Sequence, residues 1–255
     1  MPQAAPSRQM PARPVVKKTV TKSQLNQALI IEAYRRNAVH VAGLLAQGAN
    51  PNAADKAGVA VLFYAVAVKG NMPVIMLLLG KGANVNARDP RGNTVLAEAV
   101  QLGNGPVVAL LLQRKADPNV RNGAGFTPLG IATAESCLAT MYLLLAHGAN
   151  PNALQHGGVT PLVMAVSLGN LEAVRLLVEA GAIVNPGTST HAGASSGQIS
   201  PLSVAVASRS LRREAVLLEL LDHGAYVNGR DTQNNPLLVV SVSRGDFADA
   251  RLLII

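Results

Sequence analysis

The sequence predicts an all-α solenoid, an elongated stack of short helix pairs, and two observations support this prediction. First, a five-residue loop recurs along the chain, and its last asparagine stands at positions 52, 86, 119, 152, 185 and 228. Second, hydrophobic residues make up 49% of the chain while aromatic residues make up only 3%. A core of alanine, leucine and valine suits thin, closely stacked helices.

The segments between the loops predict two short helices in each unit. Branched apolar pairs or triplets precede nearly every loop, as in Leu143-Leu144-Leu145, and a second apolar segment follows it. Thr127-Pro128 and Thr160-Pro161 place an N-cap hydroxyl before a proline in the first helical turn. Helices of about ten residues are too short to be stable alone in water. Neighbouring units must therefore bury each other's helices.

The starts of the first helices carry a resemblance to a known family. They are Thr127-Pro128-Leu129-Gly130-Ile131-Ala132, Thr160-Pro161-Leu162-Val163-Met164-Ala165, Ser200-Pro201-Leu202-Ser203-Val204-Ala205 and the more degenerate Thr94-Val95-Leu96-Ala97-Glu98-Ala99. With the loop period of about 33 residues, this pattern resembles the ankyrin repeat and its Thr-Pro-Leu-His signature. The resemblance covers about nine tenths of the chain. It implies helix-turn-helix repeats with β-turn or hairpin fingers, and a role in binding other proteins.

The signature histidine is replaced throughout the chain. Its positions hold Phe63, Ala97, Gly130, Val163 and Ser203. In the family this histidine makes hydrogen bonds between neighbouring repeats. We therefore expect those bonds to be missing and the stack to be held more by apolar packing.

The predicted organisation is a tail followed by an ankyrin-repeat solenoid of about seven repeats. Residues 1–22 form a disordered, basic, proline-rich tail, and residues 23–255 form the repeat domain. Its approximate units are 23–54, 55–87, 88–120, 121–153, 154–186, 187–229 with insertions near 188–198 and 209–213, and an incomplete 230–255. We expect the apolar run Leu252, Leu253, Ile254 and Ile255 either to be covered by a further segment or to fray and associate. The chain is otherwise expected to be a monomer.

The first 22 residues carry five of the positive charges and no negative one, out of a formal net charge of +8. A solvated tail, a translocation signal of a secreted bacterial effector and a docking segment for an acidic partner all fit this composition. The sequence holds no apolar run long enough for a membrane span and no signal-peptide core. With Cys137 as the only cysteine, we expect a soluble cytoplasmic protein, or one in a host cytosol if it is a secreted effector.

No catalytic, cofactor or metal site is predicted. Cys137 and His147 lie at opposite ends of one predicted helix, about fifteen ångströms apart at about 1.5 Å per residue. The five histidines never pair with cysteine or carboxylate neighbours at metal-ligand spacing. The loop asparagines are predicted to bond the backbone of their own turns; in the family they can also be hydroxylated, so modification stays open.

The predicted binding surface follows from the resemblance and the register of the repeats. In an ankyrin-like stack, exposed first-helix positions and finger tips line a concave groove. The apolar positions are Tyr64, Val68, Leu102, Ile131, Met164 and Leu168, with Glu98, Glu135, Val204 and Ser208 in the same register. The finger-tip positions are Lys56, Arg88, Arg91, Arg121, His156 and Arg230, against Asp55, Asp89 and Asp231.

This surface predicts the class of partner. An apolar floor with a basic rim suits a protein segment that is apolar and acidic, although the arginines could equally be ordinary solvating charges. Without the tail the net charge falls to +3, since 8 − 5 = 3, and an aromatic stacking platform is missing, so specific nucleic-acid binding is not expected. The function predicted is a non-enzymatic protein-interaction module, an adaptor, scaffold or effector. The alternative is the substrate-recognition arm of an enzyme whose catalytic domain lies outside this chain.

Overall fold

The structure is a computed structural model that describes residues 20–186, 199–231 and 233–254. Within these residues it is an all-α repeat solenoid of fourteen α-helices and one 3₁₀ turn, His156–Gly158, without a β-strand. In chain order the helices are α1 (Lys22–Tyr34), α2 (Ala38–Ala46), α3 (Val61–Val66), α4 (Met72–Gly80), α5 (Val95–Gln101), α6 (Gly105–Gln113), α7 (Pro128–Ala134), α8 (Leu138–Ala146), α9 (Pro161–Ser167), α10 (Leu171–Glu179), α11 (Pro201–Ala207), α12 (Arg213–Asp222), α13 (Leu237–Ser243) and α14 (Phe247–Leu252).

The helices form two layers. Each odd-numbered helix packs against the even-numbered helix that follows it and against the next odd-numbered helix. The even-numbered helices form the second layer, with contacts between α2 and α4 and from α6 through α14 in order. Fully buried leucines such as Leu111, Leu144 and Leu177 join these layers into one continuous hydrophobic core. The short helices are therefore stabilised by their neighbours, as their length requires.

Threonine hydroxyls cap the first helices. Thr127 Oγ1 accepts a hydrogen bond from Gly130 N at 3.1 Å, and Thr160 Oγ1 accepts one from Val163 N at 3.3 Å. The N-caps predicted from the two Thr-Pro pairs are thus confirmed. Thr94 plays the same part for α5.

The loop asparagines connect neighbouring repeats, which corrects the expectation that they bond their own turns. Asn119 Nδ2 donates to Gly148 O at 2.9 Å, and Asn119 Oδ1 accepts from Asn150 N at 2.7 Å. Asn52, Asn152 and Asn185 make the same pair of bonds to the loop that follows each of them. In four of the loops the earlier polar residue, Asn50, Asn84, Asp117 or Asn150, orders the turn instead; Asn150 Oδ1, for example, accepts from Asn152 N at 2.8 Å. The amides form a polar ladder along the stack.

A glutamine replaces the signature histidine at one interface. Gln155 is 3% exposed, and its Oε1 accepts a hydrogen bond from Thr127 N at 2.8 Å. It occupies the space that a side chain at Gly130 would fill. The expectation that hydrogen bonds between repeats are missing is therefore wrong at this interface, because the partner comes from the next repeat.

The last repeats are joined by ion pairs. Arg212, in the 209–213 insertion, contacts both carboxylate oxygens of Glu172 at 2.8 Å. Arg213 lies 3.0 Å from Asp246 and 2.8 Å from Asp249. Leu253 is 4% exposed and belongs to the core, whereas Ile254 is 70% exposed. The expected apolar run is thus only partly open.

Two predicted segments fall outside the described residues. Residues 1–19 of the predicted tail and the 188–198 insertion lie there, as does Ile255. At the end of the predicted tail, Thr21 caps α1, and its hydroxyl accepts from Gln24 N at 3.3 Å. Helix α1 therefore begins at Lys22, the last residue of the predicted tail.

Candidate protein-binding surface

The first helices of successive repeats form one continuous row, because each contacts the next. They are α3, α5, α7, α9 and α11. Leu102 is 38% exposed and Leu168 is 52% exposed. Tyr64, Val68 and Met164 are half-buried. These five predicted positions therefore share a face that reaches the surface.

Ile131 does not belong to this surface. Its side chain is only 9% exposed and packs in the hydrophobic core. The expectation that it lies open in the row is wrong, because α7 is almost wholly buried between α5 and α9.

Sequence reasoning missed a third register position, three residues after that of Tyr64. It lies at or directly after the end of each of these helices, is exposed, and holds Ala67, Gln101, Ala134, Ser167 and Ala207. The signal was present, since on a helix residues three and four apart lie on the same face. The floor of the candidate surface therefore also contains small side chains, mostly alanine, which allow close approach of a partner.

Tyr64 is tied to the finger beside it. A finger is the turn that leads from a loop into a first helix; the fingers are 54–60, 88–94, 121–127, 154–160 and 230–236. Tyr64 Oη donates to Asp55 Oδ2 at 2.6 Å, and Val59 N donates to Asp55 Oδ1 at 2.8 Å. The hydrogen bond from Tyr64 lowers the pKa of Asp55 and raises that of Tyr64. The phenol and carboxylate are thus already partnered, and only the ring of Tyr64 is left for contact.

The other finger aspartates also order their own turns. Asp89 Oδ1 accepts hydrogen bonds from Arg91 N at 2.9 Å and from Asn93 N at 2.8 Å. Asp231 accepts from Asn235 N at 2.8 Å, and this backbone bond lowers the pKa of its carboxyl. The aspartates are structural parts of the fingers as well as surface charges.

Consecutive fingers stack against one another. The facing pairs are Gly58 with Pro90, Gly92 with Gly123, and Gly125 with His156. A Cβ at Gly123 would collide with the Arg91 carbonyl oxygen. The predicted cationic tips are therefore held side by side by backbone contact.

The tips expose their charges. Arg88, Arg91, Arg121 and His156 are exposed. Within the described part of the chain none of these arginines forms an ion pair. His156 packs against Phe126, with ring centroids 6.4 Å apart. With Lys56 and Arg230, which are also exposed, the tips thus offer five cations and one anchored imidazole to a partner.

Cys137 and His147 are engaged locally. At the start of α8, Cys137 Sγ lies 3.1 Å from Thr140 Oγ1. At the other end of that helix, His147 Nδ1 lies 2.9 Å from Leu143 O. Among the described residues, groups of three or more histidine, cysteine or acidic side chains arranged to hold a metal ion do not occur. Nor does any helix there have the length and hydrophobicity of a transmembrane span.

The chain is similar to the family model of ankyrin repeats (3 copies), which matches residues 29–122 and 114–188. No curated protein matches the chain. The match covers the first part of the solenoid, so the total of about seven repeats stays a prediction.

Proposed function

The chain belongs to the ankyrin repeat family, and on that premise we propose that it is a non-enzymatic protein-binding module. Ankyrin repeats generally mediate protein–protein interaction, and the family is typically non-catalytic. The supporting observation is one surface that combines the exposed Leu102 and Leu168 with finger-tip arginines that form no ion pair among the described residues. Apolar area beside charge is typical of interaction sites.

The chemistry of this surface favours an apolar and acidic partner segment. Small residues such as Ala134 let an extended peptide or an amphipathic helix approach the first helices, while Leu102 and Leu168 contact its apolar side chains. Acidic residues of that segment would then face Arg88 and Arg121. The same surface would serve a cytoplasmic adaptor or an effector in a host cytosol.

The proposal is tested by affinity capture from cytosolic lysate with the full chain as bait. The variant carries Leu102→Ser, Met164→Ser and Leu168→Ser. Tyr64 is kept, because its loss would break the bond to Asp55. The matched control is Leu218→Ser, which removes a side chain of similar exposure, 42%, from a second helix. A partner held by the full chain and by the control, but lost from the triple variant, supports the proposal. Equal capture by all three baits rejects this surface.

The basic rim is tested with the captured partner. Reversing Arg88, Arg91 and Arg121 to Glu should lower the association rate and reduce its dependence on ionic strength, because rim charges steer encounter more than they hold the complex. If neither quantity changes, these arginines are ordinary solvating charges.

A further inference from the structure

The second helices carry an unusual surface. In α10 the three outward register positions hold Glu172, Arg175 and Glu179, all exposed. At the same positions in α2, α4, α6 and α8 there is no charged residue. Those twelve residues are Val39, Ala42, Ala46, Pro73, Met76, Gly80, Pro106, Ala109, Gln113, Ala139, Tyr142 and Ala146. We call these twelve residues the outer strip.

The outer strip is open to solvent. Eleven of its twelve residues are exposed and Ala109 is half-buried. Val39 is 80% exposed, Tyr142 64% and Met76 50%. An open cavity of about 560 Å³ lies beside Met76, lined by Met72, Pro73, Leu77, Gly80 and Lys81. Apolar side chains exposed in this way on successive second helices are typical of an interaction site.

The fold itself does not require an uncharged second layer. Arg175 Nε lies 2.7 Å from Glu219 of α12, and Arg212 pairs with Glu172. At the positions where the outer strip bears alanine, proline and methionine, α10 thus bears charges that pair with the next repeat, while α12 holds Ala215, Leu218 and Asp222. The fold therefore accepts charge at these positions, and its absence from four successive second helices points to contact with something outside the chain.

Cations border the outer strip. Lys81, Arg114 and Lys115 follow the C-terminal ends of α4 and α6, are exposed, and form no ion pair within the described residues. In the turns that adjoin α4, α6 and α8, the acidic residues are Asp117 and Glu135, against the basic residues Lys69, Lys81, Arg114 and Lys115. A second copy of the chain would bring like charges together, whereas an anionic surface would complement them.

We propose that the outer strip binds peripherally to membrane surfaces rich in anionic phospholipid. Val39, Met76 and Tyr142 enter the boundary between headgroups and acyl chains, and Tyr142 keeps its hydroxyl at the headgroup level. The bordering cations contact the phosphate and carboxylate groups of the lipid headgroups. This leaves the candidate surface on the first helices free to hold a protein partner.

The test is co-sedimentation of the full chain with vesicles of equimolar phosphatidylserine and phosphatidylcholine, beside vesicles of phosphatidylcholine alone. The variant Val39→Ser, Met76→Ser, Tyr142→Ser should bind the mixed vesicles about tenfold or more weakly. The control is Leu218→Ser, since Leu218 stands in α12 at the register position of Met76. It should bind like the unaltered chain, and circular dichroism should confirm that both variants fold.

The contribution of the bordering cations to vesicle binding is tested separately. Lys81→Gln, Arg114→Gln and Lys115→Gln together should weaken binding by about fivefold per cation and reduce the preference for phosphatidylserine. A second full-length variant carries Arg8→Gln, Arg13→Gln, Lys17→Gln and Lys18→Gln, which removes tail charge without touching the strip.

Three results would overturn the proposal. They are failure of the full chain to bind the mixed vesicles, loss of binding in the tail variant but not in the strip variant, and a dimer in sedimentation velocity that the strip variant dissociates without any vesicle binding. None of them affects capture of a partner by the first helices, so the two surfaces are tested independently.

Discussion

Gln155 and Gly130 fit together across the boundary between two repeats. The carboxamide of Gln155 occupies the space above Gly130, and its Oε1 accepts a hydrogen bond from Thr127 N at 2.8 Å. Gln155 Nε2 donates in turn to Ala153 O at 2.6 Å. The bond to Thr127 N is buried, so a polar side chain from the following finger secures the start of α7.

Replacing Gln155 by Ala should lower the free energy of unfolding by about 1–3 kcal/mol, because Thr127 N loses its buried partner. Gly130→Ala should also destabilise the chain, since the added Cβ displaces Gln155. Urea unfolding of both single variants and the double variant gives the coupling energy between Gln155 and Gly130. The double variant should lose less than the sum of the two; strict additivity would show that the two sites act independently.

The stacking of the fingers makes Gly123 sensitive to substitution. Gly123→Ala should cost about 1–3 kcal/mol, because the added Cβ meets the Arg91 carbonyl, which cannot move as a flexible side chain would. Gly157→Ala is less suitable as a control because of its positive φ of 76°. Ala124→Ser is preferable, since Ala124 is exposed beside Gly123. Thermal unfolding that is unchanged in Gly123→Ala would contradict close contact between the fingers.

The sequence predicted the general fold because its signals are local and repeated. Thr-Pro pairs, apolar triplets and loop asparagines each depend on a few adjacent residues, and their recurrence placed the helices correctly. The long-range partners were beyond such reasoning. Nothing near Gly130 in the chain indicates that Gln155 fills its space, and the asparagine ladder depends on the spacing between loops in three dimensions.

The candidate surface was predicted only in part for the same reason. Register placed Leu102 and Leu168 at the surface, but it could not tell that Ile131 is buried, since burial depends on how tightly neighbouring helices pack. The outer strip on the second helices was not predicted. Its signal was present in the absence of charge from α4, α6 and α8.

The bond between Tyr64 and Asp55 predicts a pH dependence. Because the folded pKa of Asp55 is lowered from its ordinary value of 3.8, the bond stabilises the chain above that pH and is lost as pH falls through the folded value. Because the folded pKa of Tyr64 is raised from 10.0, the same stabilisation is present below pH 10.0 and is lost as pH rises through the folded value.

Tyr64→Phe should therefore raise the pKa of Asp55 towards its ordinary value, as measured by the NMR titration of the Asp55 carboxyl. Tyr142→Phe is the control, since Tyr142 is exposed on α8 far along the chain from Asp55. If Asp55 titrates identically in the unaltered chain and in Tyr64→Phe, the bond between Tyr64 and Asp55 does not form in solution.

The buried Asp249 gives stability a pH dependence opposite in sign to that from Asp55. Asp249 is 1% exposed, and its burial raises the pKa of its carboxyl although Arg213 Nε lies 2.8 Å away. The folded state therefore holds the proton more tightly than the unfolded state does. The contribution of Asp249 to stability falls as pH rises from the ordinary value of 3.8 through the raised one.

Asp249→Asn should remove this dependence, because the amide does not titrate. The free energy of unfolding of the variant, relative to that of the unaltered chain, should rise as pH increases across this range in urea titrations. A relative stability that falls with pH would show that Arg213 outweighs burial and lowers the pKa. Arg213→Met should in contrast cost about 3–5 kcal/mol at neutral pH, because it leaves the Asp249 carboxylate buried without its partner. Combining it with Asp249→Asn should restore part of that loss, since the uncompensated charge is then gone.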